Sequence, residues 1–429
     1  MSQLSDTLVT EIRSLDDVPF APQRSKPVGF LLRLSKALHT YGLPAYELEQ
    51  TMNGCAEALG YGIQCMSLPT SISMTLLPPD GRPQTYLIRV APGEVNLEKL
   101  RQTSKIAQQV IDGTVASETG AEKLKLISQT GSQYHGWVIL LAFALVSASI
   151  ARIFSGGYWD MLASGAIGLV VGSLALASRS RPLLDHLLPS TCAFVATFLA
   201  LLINHFLAQD IVISVVVISG LIILLPGLSL TIAMAELATQ NMVSGTARLT
   251  GAATVFIQLA FGSALGVEIG KLLAFDVQGA TSVIEVSAWS IWLAASAAAV
   301  ALVPLFEARK KDVLWFLLSA LSAFTTVFFA SRLLGAPLGA FCGAITIGLM
   351  AKFASRLFDI PGAMIMMPGF IILVPGSVGY RSILALVDKN VIAGLETAFE
   401  VAVIGIALVA GFLISSMVPL PKDGFTDQY

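Results

Sequence analysis

Charge is scarce in this sequence. Of 429 residues, 13% are Asp, Glu, Lys or Arg, while 55% are hydrophobic and the mean hydropathy is +0.76. A soluble chain of this length covers its surface with far more charge, so a wholly soluble fold is excluded. The 26 basic and 28 acidic residues leave a net charge of −2, with no basic field for nucleic acid. Cysteine is rare too: Cys55, Cys65, Cys192 and Cys342, none at metal-ligand spacing. The four histidines, His39, His135, His186 and His205, are scattered. The sequence therefore predicts no metal centre and no cofactor. No Walker loop, Gly-x-Ser-x-Gly elbow or dinucleotide fingerprint stands in a usable context, which leaves ATP-driven transport by this chain without a motif. Ser67, Thr70 and Ser71 cluster near Pro69, but a strand turn explains them better than a nucleophile does. The expectation is a protein that is not an enzyme.

The apolar residues are unevenly spread. Residues 1–27 are polar, without the apolar core of a signal peptide, and read as a flexible tail. Residues 28–133 alternate in the manner of a small soluble domain. Helical spacing marks Val28–His39, Ala45–Leu59, Leu97–Ile111 and Ala121–Ile127, and period-two alternation marks Ile63–Leu68, Ser71–Leu77 and Thr85–Val90. This predicts an α+β domain. Cys55 and Cys65 within it are read as reduced and cytosolic.

From residue 134 the chain is membrane-like. Ten apolar segments follow: 136–154, 158–178, 188–206, 210–225, 245–275, 288–306, 313–333, 335–351, 360–374 and 391–418. Most are long enough to cross a hydrocarbon core of about 30 Å. The fourth and ninth are short, and each ends in Pro-Gly. Placing the soluble domain in the cytosol puts Arg179, Arg181, Arg309, Lys310, Lys311, Lys352, Arg356 and Lys422 inside, against Arg152 and Arg332 outside. That bias predicts cytosolic amino and carboxyl termini.

The membrane part repeats itself. Residues 220–227 read GLIILLPG and residues 369–376 read GFIILVPG, an offset of 149. The register continues without a gap through Asn241 and Asn390, Gly245 and Gly394, Ala253 and Ala402, Leu259 and Leu408, and Gly262 and Gly411. Five spans per copy is an odd number, so the second copy enters the bilayer upside down, the plan of many secondary transporters. The fold class predicted is thus a polytopic α-helical membrane protein, ten spans as a 5+5 inverted repeat, with a small α+β amino-terminal domain. Its boundaries are 1–27 tail, 28–133 cytosolic domain, 134–283 first repeat, 284–420 second repeat and 421–429 cytosolic tail.

Each Pro-Gly should interrupt a helix, because proline removes a donor and glycine accepts unusual dihedrals. New helices would start after Gly227 and Gly376. If both point their amino-terminal ends at the bilayer centre, each brings about half a positive charge and free amides, a setting for a carboxylate. The candidate substrate or coupling residues are Pro226, Gly227, Ser229, Glu236, Asn241 and Arg248 after the first break. After the second they are Pro375, Gly376, Ser377, Arg381 and Asn390. Glu236 is read either as a holder of a substrate ammonium or coupling proton, or as an interfacial charge. Arg248 pairs with a substrate carboxylate or with Glu236, or snorkels. The two asparagines serve a zwitterion or cap helices.

Three stretches carry a resemblance. LLRLSKALHTYGLPAYELEQTMNGCAEALG followed by LPTSISMTL resembles the cytosolic domain of the threonine/serine exporter family. LLPGLSLTIAMAELATQNMVSGTARL and LVPGSVGYRSIL resemble that family's two membrane motifs. Glu236 stands where an Asp often follows the Pro-Gly, keeping the charge on a longer arm. The resemblance covers about residues 28–418. It implies export of small amino acids, chiefly threonine and serine, driven by protons, across the inner membrane of a bacterium. Its implied partners are the substrate, protons and the lipid bilayer, with a homo-oligomer compatible. Relatives with the halves on separate chains imply a dicarboxylate exporter as the alternative. A passive small-metabolite channel with a cytosolic sensing domain is a further one.

Overall fold

The computed structural model describes residues 26–79, 81–91, 95–179, 181–207, 211–276, 286–358, 362–373, 376–387 and 390–418. The chain divides into two compact units. Unit 1 comprises the amino-terminal region through Gln133 together with Ala235–Arg248, and unit 2 comprises Tyr134–Met234 and the chain from Leu249 onward.

Unit 1 is built around a helix that is buried almost all round, its polar Arg33, Ser35, Lys36 and His39 included. Helix α1 (Lys26–Thr40) buries Phe30, Leu31, Leu32, Leu34 and Leu38, and so lies at the core of its domain. Gly42 ends it with φ +92°, a conformation other residues resist. Helix α2 (Ala45–Ala58) starts directly after Pro44 and buries Leu48, Met52 and Cys55. Strands β1 (Gly62–Leu68), β2 (Ser71–Leu77) and β3 (Gln84–Arg89) form an antiparallel sheet in that order. Ile72, Met74 and Leu76 of the central strand face the core, as period-two alternation requires. Helix α3 (Leu97–Ile111) is capped by Asn96, whose side chain accepts from Lys99 N at 2.9 Å, and α4 (Ser117–Gln129) closes the layer. Helix α1 begins at Lys26, two residues inside the stretch read as tail; residues 1–25 lie outside the described residues.

Unit 2 is helical among its described residues. It contains α5 (Gly136–Ile153), α6 (Tyr158–Ser178), α7 (Pro182–Leu207) and α8 (Ile213–Gly220). A single 3-10 turn (Ile222–Leu224) separates α8 from α9 (Gly227–Ala238). Then come α10 (Met242–Leu272), α11 (Ser290–Leu305), α12 (Val313–Leu334), α13 (Ala336–Phe358), α14 (Gly362–Leu373), α15 (Gly376–Val387) and α16 (Val391–Met417). The end of α9 and the first residues of α10 belong to unit 1.

Eight stretches among the described residues are long and apolar enough to cross a membrane. One of them, Ile365–Ala385, runs through α14 and α15. The pair Ile213–Gly220 and Ile222–Ala238, bent by 55°, adds a ninth, while α11 has 16 residues and falls short of that length. The third apolar segment is longer than its hydropathy suggests. Helix α7 starts at Pro182, a residue suited to a first turn, and carries Pro189 inside.

Two side chains fix the ends of the spans. Asp160, 2% exposed, accepts from Gly157 N and from Val212 N, both at 2.8 Å, and so caps α6 while holding the entry to α8. Lys352 on α13 donates to the carbonyls of Ser415, Ser416 and Val418 at the end of α16.

The repeated register reappears as packing. At Gly262 of α10 an added Cβ would lie 3.0 Å from Ala193 Cβ on α7; at Gly411 of α16 it would lie 2.8 Å from Ala344 Cβ on α13. Gly266 meets Thr197 on α7, and Ser415, its counterpart at offset 149, meets Gly348 on α13. Burial also runs in step along the two long helices: Gly245 and Gly394, Ala252 and Val401, Leu259 and Leu408 are buried, while Ile257 and Ile406 are exposed.

Candidate functional site

The two breaks meet. Helices α9 and α15 start at Gly227 and Gly376, and a Cβ on Gly376 would lie 3.2 Å from Gly227 Cα and 3.6 Å from Leu225 Cβ. A side chain at Gly376 would require its neighbours to give by a few tenths of an ångström. Pro226, Ser229 and Ser377 are half-buried around this contact, and Gly227 and Gly376 are buried. Pro375 lies outside the described residues.

Each broken helix packs on the long helix of the other half. Gly379 of α15 faces the ring of Phe256 on α10, where a Cβ would sit 2.9 Å away. Tyr380, fully buried, shares a hydrogen bond with Ser263 of α10 and joins the apolar core formed by α5, α6, α7, α8 and α10. In the other direction, Met234 of α9 faces Gly405 of α16, where an added Cβ would lie 3.0 Å from Met234 Cγ. Phe256 and Gly405 are themselves equivalent at offset 149. Sequence reasoning missed Tyr380 and Ser263; the one available signal was an aromatic hydroxyl four residues after Gly376.

Unit 1 holds two of the charged candidates, Glu236 and Arg248. Glu236 is 0% exposed and both its oxygens are engaged. Arg248 donates from Nε to Oε2 at 3.1 Å and from Nη2 to Oε1 at 3.0 Å, a two-pronged fork. The Ala45 amide donates to Oε1 at 3.3 Å. Pro44 has no N–H, so this is the first free amide of α2, where negative charge is favoured. Asn241, half-buried, donates to Thr239 Oγ1 at 3.2 Å. The remaining candidates lie elsewhere. Arg381 is exposed, with its guanidinium 5.5 Å from the centre of the Phe154 ring. Asn390 caps α16, accepting from Ala393 N at 3.4 Å.

The groups around Glu236 are desolvated. Burial lowers the pKa of His39, against a hydrogen bond to Pro69 O at 3.2 Å that raises it. Burial raises Tyr46, Glu47 and Glu49; Glu49 accepts from Ser67 N at 2.8 Å, which opposes its shift. Burial also pushes the Cys55 and Cys65 thiols up to about 12, so both stay protonated and neither is a ready nucleophile or ligand. No group of three or more His, Cys, Asp or Glu side chains suited to a metal occurs among the described residues.

Long apolar helices, one span among them bent by 55° at its break, with the starts of α9 and α15 in contact, define a multi-pass helical membrane protein. Comparison with known families carries this further. Residues 29–270 match the family model described as putative threonine/serine exporter, and residues 291–418 match a second model of threonine/serine exporters. The chain belongs to the threonine/serine exporter family, in the form that carries both halves on one polypeptide. Among curated proteins it is 26% identical over 362 residues to pheromone-regulated membrane protein 10 of Eremothecium gossypii, covering 83% of this chain and 49% of that one. The protein of the same name from Candida albicans is 27% identical over 382 residues, covering 87% and 34%. The one from Saccharomyces cerevisiae is 24% identical over 407 residues, covering 93% and 51%. The chain thus spans between a third and about half the length of these fungal membrane proteins. No solved structure matches it.

Proposed function

We propose that this protein is a secondary active exporter of small amino acids, threonine and serine first, working by alternating access at the meeting point of its two breaks. The observation that carries the reading is the approach of Gly376 to within Cβ distance, 3.2 Å, of Gly227 Cα. Two helix amino-terminal ends converge there, and two like dipole ends are best reconciled by an anionic group between them. A substrate carboxylate supplies it, with Ser229 and Ser377 in the first turns as hydroxyl partners and Pro226 and Pro375 holding the helices open. Arg381 and Asn390 stand further along the second half and act in its gate.

The plan is ten spans in two inverted sets of five, with α11 as the shortest span and α14 with α15 mirroring α8 with α9. Its support is the offset of 149, the matched burial of α10 and α16, and the exchange of broken helices between halves. Both termini face the cytosol, in keeping with the Lys and Arg bias of the loops. The membrane is the plasma or inner membrane.

Protons drive export. Glu236 is the coupling carboxylate, because it is fully buried and its fork to Arg248 exists in only one protonation state. Asn241 and Arg248 belong to the same coupling group.

Reconstitution into vesicles with labelled threonine, serine, other amino acids and dicarboxylates, with and without a proton gradient, tests the reading. Accumulation of threonine or serine against its gradient, abolished by collapsing the proton gradient, is the expected result. Downhill flux insensitive to pH would make the protein a channel, and selective dicarboxylate flux would change the substrate class.

A further inference from the structure

The Glu236–Arg248 pair reaches beyond the membrane helices. The end of α9, the turn after it and the first residues of α10, together Ala235–Arg248, form one compact unit with the amino-terminal domain. The third ligand of the Glu236 carboxylate is an amide of that domain, Ala45 N, at 3.3 Å. Arg248 holds both oxygens, Ala45 holds one, and the side chain is fully buried, so the carboxylate is enclosed by this domain rather than open to a substrate ammonium.

The arrangement exists on one half only. At offset 149, Glu236 corresponds to Ala385 and Arg248 to Thr397, whose hydroxyl bonds back to Ala393 O within its own helix. The amino-terminal domain has no second copy, so its grip on α9 has no counterpart on α15.

We propose that Glu236, Arg248 and the first turn of α2 form a latch, by which the amino-terminal domain positions the first broken helix and thereby sets the export rate. In this assignment Glu236 and Arg248 act by position, and the coupling proton acts by loosening the fork between them; the substrate never touches them. The latch deepens the exporter reading and rests on it for the rate effect, but its existence is measurable without any transport.

The test is hydrogen exchange on the full chain in lipid nanodiscs, beside flux in vesicles. Arg248→Lys keeps the charge and loses the fork. Ala45→Pro removes the amide donor at a first-turn position where proline fits, and Pro44 already has the extended backbone (ψ 153°) that a following proline requires. Each variant should raise exchange at the amides of Tyr46–Leu48 about tenfold, with the β1–β2–β3 sheet unchanged. Each should also lower the maximal export rate severalfold at unchanged KM, and the exchanged pair Glu236→Arg with Arg248→Glu should recover part of both. Wild-type protection of Tyr46–Leu48 in both variants would overturn the latch, whatever the flux. Loosened exchange with a raised KM at unchanged rate would also overturn it, by returning these residues to the substrate site. Should Ala45→Pro not fold, Arg248→Lys alone decides, since it adds no bulk to the domain core. Absence of flux in the wild type would sink the exporter reading and leave the exchange result standing.

Discussion

The two halves of the membrane unit share a scaffold and differ in chemistry. Small residues recur where α10 crosses α7 and where α16 crosses α13, and the register is kept at Gly262 and Gly411. Charge is not shared. The first half carries Glu236 and Arg248, where the second has Ala385 and Thr397. The second carries Glu396 and Glu400, both exposed on α16, where the first has Ala247 and Gly251. Close packing tolerates little change, so matched small residues persist where long helices cross; ionic groups are costly in apolar surroundings and differ between the two stretches.

The sharpest way to break this comparison is to remove one charge. Arg248→Ala leaves Glu236 buried without its partner and should cost about 3–5 kcal/mol. Thr397→Ala at the matching position should cost well under about 1 kcal/mol, because its hydroxyl serves only its own helix. Thermal unfolding of the full chain in detergent compares the two. If both variants melt alike, the ion pair is not what sets the halves apart.

The next largest effect is steric. Gly376→Val should abolish export, since even a Cβ meets the Gly227 backbone at 3.2 Å. Gly251→Ala faces open space and should leave flux within about twofold of wild type. Equal flux in the two variants would dissociate the meeting of the breaks from transport.

A smaller effect belongs to the exchange of broken helices. Tyr380→Phe keeps the ring in the core and loses the bond to Ser263, for about 1 kcal/mol. Thr231→Val, at the equivalent place in α9, loses only a bond to Gly227 O within its helix. Denaturant titration in mixed micelles should rank Tyr380→Phe as the more costly of the two.

The smallest is a pH effect confined to the amino-terminal domain. Burial lowers the pKa of His39 below its ordinary 6.5, so the fold favours the neutral ring. Its contribution is complete above pH 6.5 and is lost as pH falls through the lower folded value. His39→Gln should flatten the fall of melting temperature below about pH 6.5 by roughly 1–3 °C. An unchanged slope would assign the acid sensitivity to other groups.

Helix boundaries were largely legible in the sequence, because periodicity and apolar length act locally. Leu97–Ile111 and Tyr158–Ser178 fall where the pattern places them. Helix α7 was under-read at its start, since Asp185 and His186 look like a loop until Pro182 is taken as a first-turn residue. The candidate site was legible only as a set of residue types. The pairing of Glu236 with Arg248, twelve positions apart, was one of several readings open to it; the Ala45 amide, 191 positions away, was invisible. Backbone donors have no signature in residue identity.

Asp160 spends both carboxylate oxygens on backbone amides, one at the head of α6 and one at the doorway of α8. The first interrupted span is therefore moored at its entry like a lever on a pivot. A change in the length of α8, eight residues long, would shift the 3-10 turn and the start of α9 relative to that mooring.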